Sequence, residues 1–131
     1  MDCLCHSGKP YEDCCQPFHQ GELPKNAEQL MRSRYCGYAN GLAEYIMETT
    51  HPESPQRKEK GSWLEEILKF GQSLSFDDLI IEEFVDGDLY ATVTFVAKLS
   101  QKGQDFGFRE TSLFEKVDGK WFYVSGEISA I

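Results

Sequence analysis

The order of hydrophobic and polar positions divides this chain into a half with helical periodicity and a half with strand periodicity. Apolar side chains recur every three or four positions in residues 27–38, 42–50 and 62–71, which is the spacing of amphipathic helices. From Asp78 onward they recur at every second position, which is the spacing of half-buried strands. The pattern predicts three helices followed by a sheet.

Capping and helix-breaking residues support the predicted helix boundaries. Asn26 stands three residues before Gln29, and Ser62 stands three residues before Glu65. Both arrangements are typical of capping boxes, so Asn26 and Ser62 are the predicted N-caps. Pro52 ends the second helix, because the residue before a proline avoids helical angles.

The second half of the chain is predicted to form an antiparallel meander of four strands. We expect the strands at residues 80–85, 89–99, 106–117 and 121–128. Glycine follows a polar residue in all three connections, as is typical of hairpin turns: Asp86-Gly87, Lys102-Gly103 and Asp118-Gly119. Helices followed by such a meander predict an α+β fold, with three helices packed on a curved four-stranded sheet.

A curved sheet covered by helices can leave a cone-shaped pocket, and four polar residues are candidates for lining it. They are His51, Glu110, Ser112 and Tyr123. Alternation along the third strand puts Glu110 and Ser112 on the same face. Both faces mix polar and apolar residues, so the pattern does not identify the inner face. The alternative is that Glu110 pairs with a basic residue on the surface and His51 caps the second helix.

Large aromatic side chains compete with a pocket for the same space. They are expected in the core, which they would fill completely if no pocket formed: Trp63, Phe95, Phe108 and Trp121. Arg32 and Arg34 on the first helix are expected at the solvated surface, and Cys36 in an apolar interior.

Composition and charge limit the size of the protein and its partners. The chain has 131 residues, 40% of them hydrophobic, enough for one domain with a core and a small appendage. The formal net charge of −9 repels phosphate backbones and anionic lipids, so we expect neither nucleic acid nor a membrane as partner. No apolar run approaches the roughly 18 residues of a membrane helix. The first residues lack the basic and apolar regions of a leader, so we expect a cytoplasmic protein.

Four of the five cysteines cluster in the first fifteen residues, as Cys3, Cys5, Cys14 and Cys15. In a reducing compartment, such a cluster indicates metal or redox chemistry rather than disulfides, and no C-x-x-C redox pair is present. Four thiolates suit tetrahedral zinc, with iron as the chemical alternative. Gly8 allows a turn that folds the second pair back onto the first. We predict a zinc site formed by these four cysteines.

The pattern offers an alternative for the fourth ligand and a position for the domain boundary. His6 and His19 lie close enough to replace a cysteine, and adjacent cysteines ligate one metal only with a particular local geometry. Residues 16–25 contain several helix breakers and are interpreted as a linker. The chain is therefore divided into a zinc-binding motif with its linker at residues 1–25 and an α+β domain at residues 26–131.

The first cysteines and the turn between them resemble the SEC-C motif, a zinc-binding motif whose usual form begins Cys-Pro-Cys-Gly-Ser-Gly. The resemblance is carried by Cys3-Leu4-Cys5-His6-Ser7-Gly8-Lys9-Pro10-Tyr11-Glu12-Asp13-Cys14-Cys15. This chain departs from the usual form at Leu4 and His6. Neither departure removes a ligand, but His6 stands where the turn usually has glycine. We call residues 3–15 the zinc knuckle.

Further segments along nearly the whole chain are similar to the bacterial YchJ family. They are Phe18-His19, Ala27-Glu28-Gln29-Leu30-Met31-Arg32-Ser33-Arg34-Tyr35, Thr50-His51-Pro52, Arg109-Glu110-Thr111-Ser112-Leu113-Phe114 and Gly119-Lys120-Trp121-Phe122-Tyr123. In that family an SEC-C motif precedes a nuclear-transport-factor-2-like (NTF2-like) domain. The resemblance therefore implies a metal site and a cone-shaped fold, and it implies no established activity.

Two classes of function are compatible with these features. The first is a binding module, which recognises a protein partner through the zinc knuckle or holds a small molecule in the pocket. The second is a small enzyme of the isomerase, dehydratase or hydrolase type acting in the pocket. Such an enzyme needs an acid–base pair, and His51 with Glu110 is the plausible pair. Because catalytic signals are few, we favour the binding module.

Overall fold

Helices in the first half and an antiparallel sheet in the second half form an α+β fold, as the periodicity predicts. The computed structural model describes residues 2–131. The helices are α1 (Gln16–His19), α2 (Ala27–Ala39), α3 (Ala43–Glu48) and α4 (Lys60–Ser73), and a 3-10 turn at Tyr11–Asp13 precedes them. The strands are β1 (Ser75–Val85), β2 (Tyr90–Gln101), β3 (Gln104–Asp105), β4 (Phe108–Val117) and β5 (Lys120–Ser129).

The helix caps follow the prediction at α2 and differ from it at α4. The side chain of Asn26 accepts a hydrogen bond of 2.8 Å from the backbone N–H of Gln29. At α4 the cap is Glu59, whose carboxylate accepts from the N–H groups of Gly61 and Ser62 at 3.1 and 2.9 Å. A negative charge is favourable at a helix N-terminus, so α4 begins before Ser62.

Within residues 2–131, no helix combines the length and apolarity that crossing a membrane requires.

The predicted linker at residues 16–25 contains the short helix α1. Pro17 is its second residue, a position where a helix does not need the N–H that proline lacks. The breaker that suggested a linker is therefore compatible with the first turn of a helix. A helix of four residues is also too short to show helical periodicity.

The sheet has the strand order β1-β2-β4-β5 with antiparallel pairing, and β3 extends the end of β2. Lys102 and Gly103 have positive φ angles of 51° and 81°, and Asp118 and Gly119 have 52° and 80°. Two successive positive φ angles are the requirement of a type I′ hairpin. The turn at Lys102-Gly103 sets the register in which Phe95 of β2 pairs with Glu110 of β4, and the turn at Asp118-Gly119 joins β4 to β5.

The helices cover one face of the sheet. Side chains from α2 and the sheet share one core, which includes Leu30, Met31, Tyr35, Val93, Phe114 and Trp121. A second cluster joins α3 to α4 through Ala43, Ile46, Trp63 and Ile67. α4 crosses α2 at Gly71, where an added Cβ atom would lie 2.1 Å from the carbonyl oxygen of Tyr38. This close crossing sets how the two helices sit over the sheet.

Candidate functional site

Four thiols converge at the N-terminal end of the chain. The Sγ atoms of Cys3, Cys5, Cys14 and Cys15 all lie within 4.8 Å of one another. The Cys5–Cys14 and Cys14–Cys15 Sγ distances are 3.5 and 3.9 Å. Tetrahedral zinc with Zn–S bonds of about 2.3 Å requires sulfur atoms about 3.8 Å apart. The four thiols therefore fit a tetrahedral metal ion and could hold one.

The backbone of the zinc knuckle folds back between the two cysteine pairs. The N–H of Cys3 donates to the Lys9 carbonyl at 2.9 Å, and the N–H of His6 donates to the Cys3 carbonyl at 3.1 Å. His6 and Gly8 have positive φ angles of 60° and 89°, a region that glycine enters most easily. His6 thus adopts the left-handed conformation that favours glycine, the residue of the usual motif at that position.

Hydrogen bonds and burial shift the pKa values of the clustered thiols in opposite directions. The Ser7 hydroxyl lies 3.1 Å from Cys14 Sγ, as expected for a group that supports a thiolate. Burial raises the pKa of the Cys3 thiol to about 12. A hydrogen bond from the Cys15 thiol, with others from Ser7 and Cys14, lowers the pKa of Cys5 to about 4. Binding of a metal by these cysteines would therefore release protons from the buried thiols.

Both histidines near the cluster have other partners. His6 Nε2 lies 2.8 Å from the Phe76 carbonyl oxygen. The ring of His19 bonds the Tyr11 hydroxyl through Nδ1 at 2.7 Å and the Ser33 carbonyl through Nε2 at 2.8 Å. The structure therefore uses these imidazoles to attach the N-terminal segment to the rest of the molecule, and not to complete the thiol cluster.

The zinc knuckle packs along α2, and Cys36 is part of this contact. Arg32 Nη1 donates to the Cys5 carbonyl at 3.2 Å. Cys36 is fully buried, with its Sγ 3.8 Å from Cys3 Sγ and 3.3 Å from Nδ2 of the Asn40 side chain, which donates to it. The interior position expected for Cys36 is therefore correct, but its neighbours are thiols. The sequence alone could not predict this contact, because it is the position of α2 in the fold that brings this fifth cysteine beside the other four.

A cavity of about 330 Å³ lies between the helices and the sheet. Its walls include five phenylalanines: Phe70, Phe76, Phe95, Phe108 and Phe114. Glu110, Ser112 and Tyr123 also line it, so three of the four candidate residues face the same space. Trp63, Phe95 and Phe108 form part of the wall without filling the cavity, and Trp121 is not part of the wall.

The three polar candidates in the cavity form one hydrogen-bonded group. Glu110 Oε2 accepts from the Ser112 hydroxyl at 2.5 Å and from the Tyr123 hydroxyl at 3.2 Å. Burial, with the charge of Glu110 nearby, raises the pKa of Tyr123, so its hydroxyl stays a donor. Gly126 makes this arrangement possible, because a Cβ atom there would lie 2.1 Å from Glu110 Oε2.

His51, the fourth candidate, does not line the cavity. Its Nε2 lies 2.9 Å from Glu115 Oε1, and its Nδ1 accepts from the N–H of Glu53 at 3.0 Å. The expected pair of His51 with Glu110 is therefore not formed. The reason is alternation along β4: Glu115 and Glu110 are an odd number of residues apart and project from opposite faces. The backbone of His51 is held at β5 by a bond to the Tyr123 carbonyl.

Arg34 lines the cavity, which corrects its expected place on the solvated surface. Only 7% of it is exposed. Its Nη1 donates to the Ile46 carbonyl and to the hydroxyls of Thr49 and Thr50, at 3.0, 2.7 and 3.1 Å. Its guanidinium carbon lies 4.5 Å from the centroid of the Tyr123 ring. The sequence contained an indication of this inward position, because Arg34 shares the helical spacing of Leu30, Met31, Tyr35 and Tyr38.

Comparisons with known proteins agree with this architecture. Residues 26–126 match the family model described as "YchJ, middle NTF2-like domain". A UPF0225 protein of Streptomyces coelicolor is 36% identical over 129 residues, which cover 95% of this chain and 94% of that protein. The solution structure of an SEC-C motif containing protein from Rhodopseudomonas palustris has a TM-score of 0.85 and 32% identity, and covers 100% of this chain and 99% of that one.

A more distant neighbour shares the NTF2-like fold. It is an NTF-2 like protein of unknown function from Shewanella oneidensis, with a TM-score of 0.58 and 19% identity. The similarity covers 78% of this chain and 94% of that one. The chain combines a cysteine cluster that could hold a metal with an NTF2-like fold. Because the family model matches most of the length of this chain, the chain belongs to the YchJ family.

Proposed function

We propose that the protein is a zinc-containing module whose NTF2-like domain binds a small molecule. The observation that carries the ligand-binding role is the cavity of about 330 Å³, walled by aromatic side chains and a few polar groups. Ligand sites in proteins have this character: they are concave, mostly apolar and carry a small number of placed polar groups. The volume is at the lower end of the usual range of about 300–1,000 Å³, which suits a ligand of one or two rings.

We assign the metal as zinc and its role as structural. Cys3, Cys5 and Cys15 are buried, and a closed site of four thiolates is typical of structural zinc. A segment as short as the zinc knuckle has no core of its own, so metal binding supplies its folding free energy. The folded knuckle then rests on α2, the helix that carries Arg34 into the cavity.

We do not extend the proposal to catalysis. The acid–base pair suggested by the sequence needed His51 beside Glu110, and the imidazole of His51 instead bonds Glu115 outside the cavity. Recognition of a protein partner through the zinc knuckle stays a prediction.

A neutral fluorescent probe tests the ligand-binding role. The apolar amine N-phenyl-1-naphthylamine should bind the full-length, zinc-loaded protein saturably, with one probe per chain and increased fluorescence. The chain has two tryptophans, and Trp63 lines the cavity whereas Trp121 is not part of its wall. The indole N–H resonance of Trp63 should therefore shift on binding while that of Trp121 stays in place. An absence of saturable binding, or a shift confined to Trp121, would contradict the proposal.

A further inference from the structure

The hydrogen bonds of Arg34 come from one nitrogen of its guanidinium group. All three of its hydrogen bonds are donated by Nη1. No geometric hydrogen bond from Nε or Nη2 forms among residues 2–131, although the Tyr38 hydroxyl lies beside the guanidinium group. Because Arg34 is buried and lines the cavity, and neither atom is fully enclosed by protein, a ligand in the cavity can reach these two groups. The Nε–Nη2 edge holds two parallel N–H groups, the fork that binds a carboxylate in a bidentate manner.

The charge of Arg34 has no direct counter-ion in the described part of the chain. No carboxylate there lies within 4.0 Å of its guanidinium nitrogens. Its protein partners are a carbonyl and two neutral hydroxyls. Buried charges in proteins are normally paired, and arginine stays charged at any physiological pH. An anion in the cavity would supply the missing partner.

Glu110 supplies a second polar anchor at a separate point of the cavity. Its Oε2 receives both protein hydrogen bonds, from Ser112 and Tyr123, while Oε1 meets no donor among residues 2–131. Tyr123 separates the two charged groups, since Arg34 lies over its ring and Glu110 lies at its hydroxyl. Glu110 Oε1 can therefore accept a hydrogen bond from a ligand donor that is distinct from the group on Arg34.

The other charged residues at the cavity are already paired. Lys58 and Glu66 also line it, and Lys58 Nζ lies 2.8 Å from Glu66 Oε1. Both side chains are more than half exposed, so this ion pair lies at the solvent side. Arg34 and Glu110 are the charged groups of the wall that remain for a ligand.

We propose that the cavity binds a flat organic acid that also carries a hydrogen-bond donor, with its carboxylate on the Nε–Nη2 edge of Arg34 and its donor on Glu110. The aromatic walls, such as Phe95 and Phe108, pack against the flat body of the ligand. This inference rests on the proposed ligand-binding function and adds the chemical class of the ligand to it.

Displacement of N-phenyl-1-naphthylamine from the zinc-loaded protein separates the two proposals. The competitors are 3- and 4-hydroxybenzoate, benzoate, and methyl 4-hydroxybenzoate, which keeps the ring and the donor but removes the charge. The better hydroxybenzoate should displace the probe at a concentration roughly tenfold to hundredfold below that of the ester, and below that of benzoate. If the ester competes as well as the acids while the probe still binds, the ligand class is wrong and the binding cavity stands. If the probe does not bind, both proposals fail.

Variants assign each preference to its residue. Arg34→Gln should bring the acid-to-ester ratio close to one, whereas Arg34→Lys should retain part of it. Glu110→Gln should remove the preference for hydroxybenzoate over benzoate. The matched controls are Arg109→Gln and Glu82→Gln, which change an ion pair on the exposed side of the sheet and should leave both ratios unchanged. Each ratio is measured within one variant, so a general loss of stability cancels. An unchanged acid-to-ester ratio in Arg34→Gln would overturn the assignment.

Discussion

Gly126 illustrates at the residue scale how an absent side chain makes room for a charged group. It pairs with Ser112 across β4 and β5. A Cβ atom at this position would lie 2.1 Å from Glu110 Oε2 and 2.8 Å from the Tyr123 hydroxyl oxygen. Both contacts are shorter than non-bonded carbon–oxygen distances, so the carboxylate of Glu110 would have to leave its two donors.

Gly126→Ala should therefore lower the free energy of unfolding by roughly 1–3 kcal/mol, because the Glu110 carboxylate would lose its hydrogen bonds to Ser112 and Tyr123. The same substitution should cost much less in a Glu110→Ala background, because the carboxylate that it displaces is gone. Urea unfolding of the four proteins in this double-mutant cycle measures the coupling. Equal losses in both backgrounds would show that Glu110 does not occupy the space beside Gly126.

Tyr45 provides a pH-dependent test at the same scale. Its hydroxyl lies 2.6 Å from Ser33 Oγ, and burial raises its pKa from 10.0 to about 12. Between these values the unfolded chain loses the tyrosine proton while the folded chain keeps it. The stability that Tyr45 contributes should be fully present below pH 10 and decline as the pH rises toward 12.

The comparison is between the wild-type protein and Tyr45→Phe, unfolded in urea at a series of pH values. The stability difference should be constant up to pH 10 and shift in favour of Tyr45→Phe above it. A difference that does not change between pH 10 and 12 would contradict the raised pKa.

At the scale of elements, the crossing of α2 and α4 depends on Gly71. A glycine inside a helix normally costs roughly 0.5–1 kcal/mol relative to alanine. At Gly71, however, a Cβ atom would lie 2.1 Å from the Tyr38 carbonyl oxygen of α2. The two helices would have to separate, and the wall of the cavity that they form would move with them.

Gly71→Ala should thus destabilise the protein by roughly 1–3 kcal/mol through overpacking, in spite of the better helix propensity of alanine. Gly61→Ala in the same helix is the matched control. Its Cβ atom would meet the Glu59 carboxylate at 3.4 Å, an ordinary contact, so this variant should be neutral or slightly stabilised. Thermal unfolding distinguishes the two signs, and a stable Gly71→Ala protein would show that the helices cross less closely.

Elements that are long and regular were predictable from sequence, whereas short or interrupted ones were not. The periodicity of α2 runs along its whole length, and the cap at Asn26 marks its start. β1 begins at Ser75, ahead of the predicted residue 80, because an irregularity between Phe76 and Asp78 breaks the alternation. α1 has four residues, fewer than the pattern needs to appear.

At the scale of the whole molecule, the zinc knuckle is joined to the domain by contacts that are distant in sequence. His6 bonds the Phe76 carbonyl across a separation of 70 residues, and Cys36 contacts Cys3 across 33. Local sequence patterns identified the cysteines as candidate metal ligands and the polar residues of β4 as pocket candidates, each by itself. They could not show that Arg34 lines the cavity or that His51 lies outside it, because both positions depend on how the helices and strands pack.

Removal of the metal should release the knuckle and leave the domain folded. After chelation, backbone amides in residues 3–15 should exchange rapidly with solvent, since metal binding supplies the folding free energy of this segment. Amides of β2 and β4 should stay protected, and near-ultraviolet signals of Trp63 and Trp121 should persist, because the domain buries its own aromatic core. Global loss of protection would show that the knuckle and the domain fold as one unit.

The metal content of the purified protein tests the central claim most directly, since the account depends on a zinc ion held by Cys3, Cys5, Cys14 and Cys15. Elemental analysis should find one zinc per chain in the wild-type protein and almost none when Cys14 and Cys15 are both replaced by serine. Cys36→Ser is the control: its thiol touches Cys3 but lies outside the group of four, so this variant should keep its zinc. A wild-type protein without zinc, or a zinc content unchanged by the double replacement, would contradict the account.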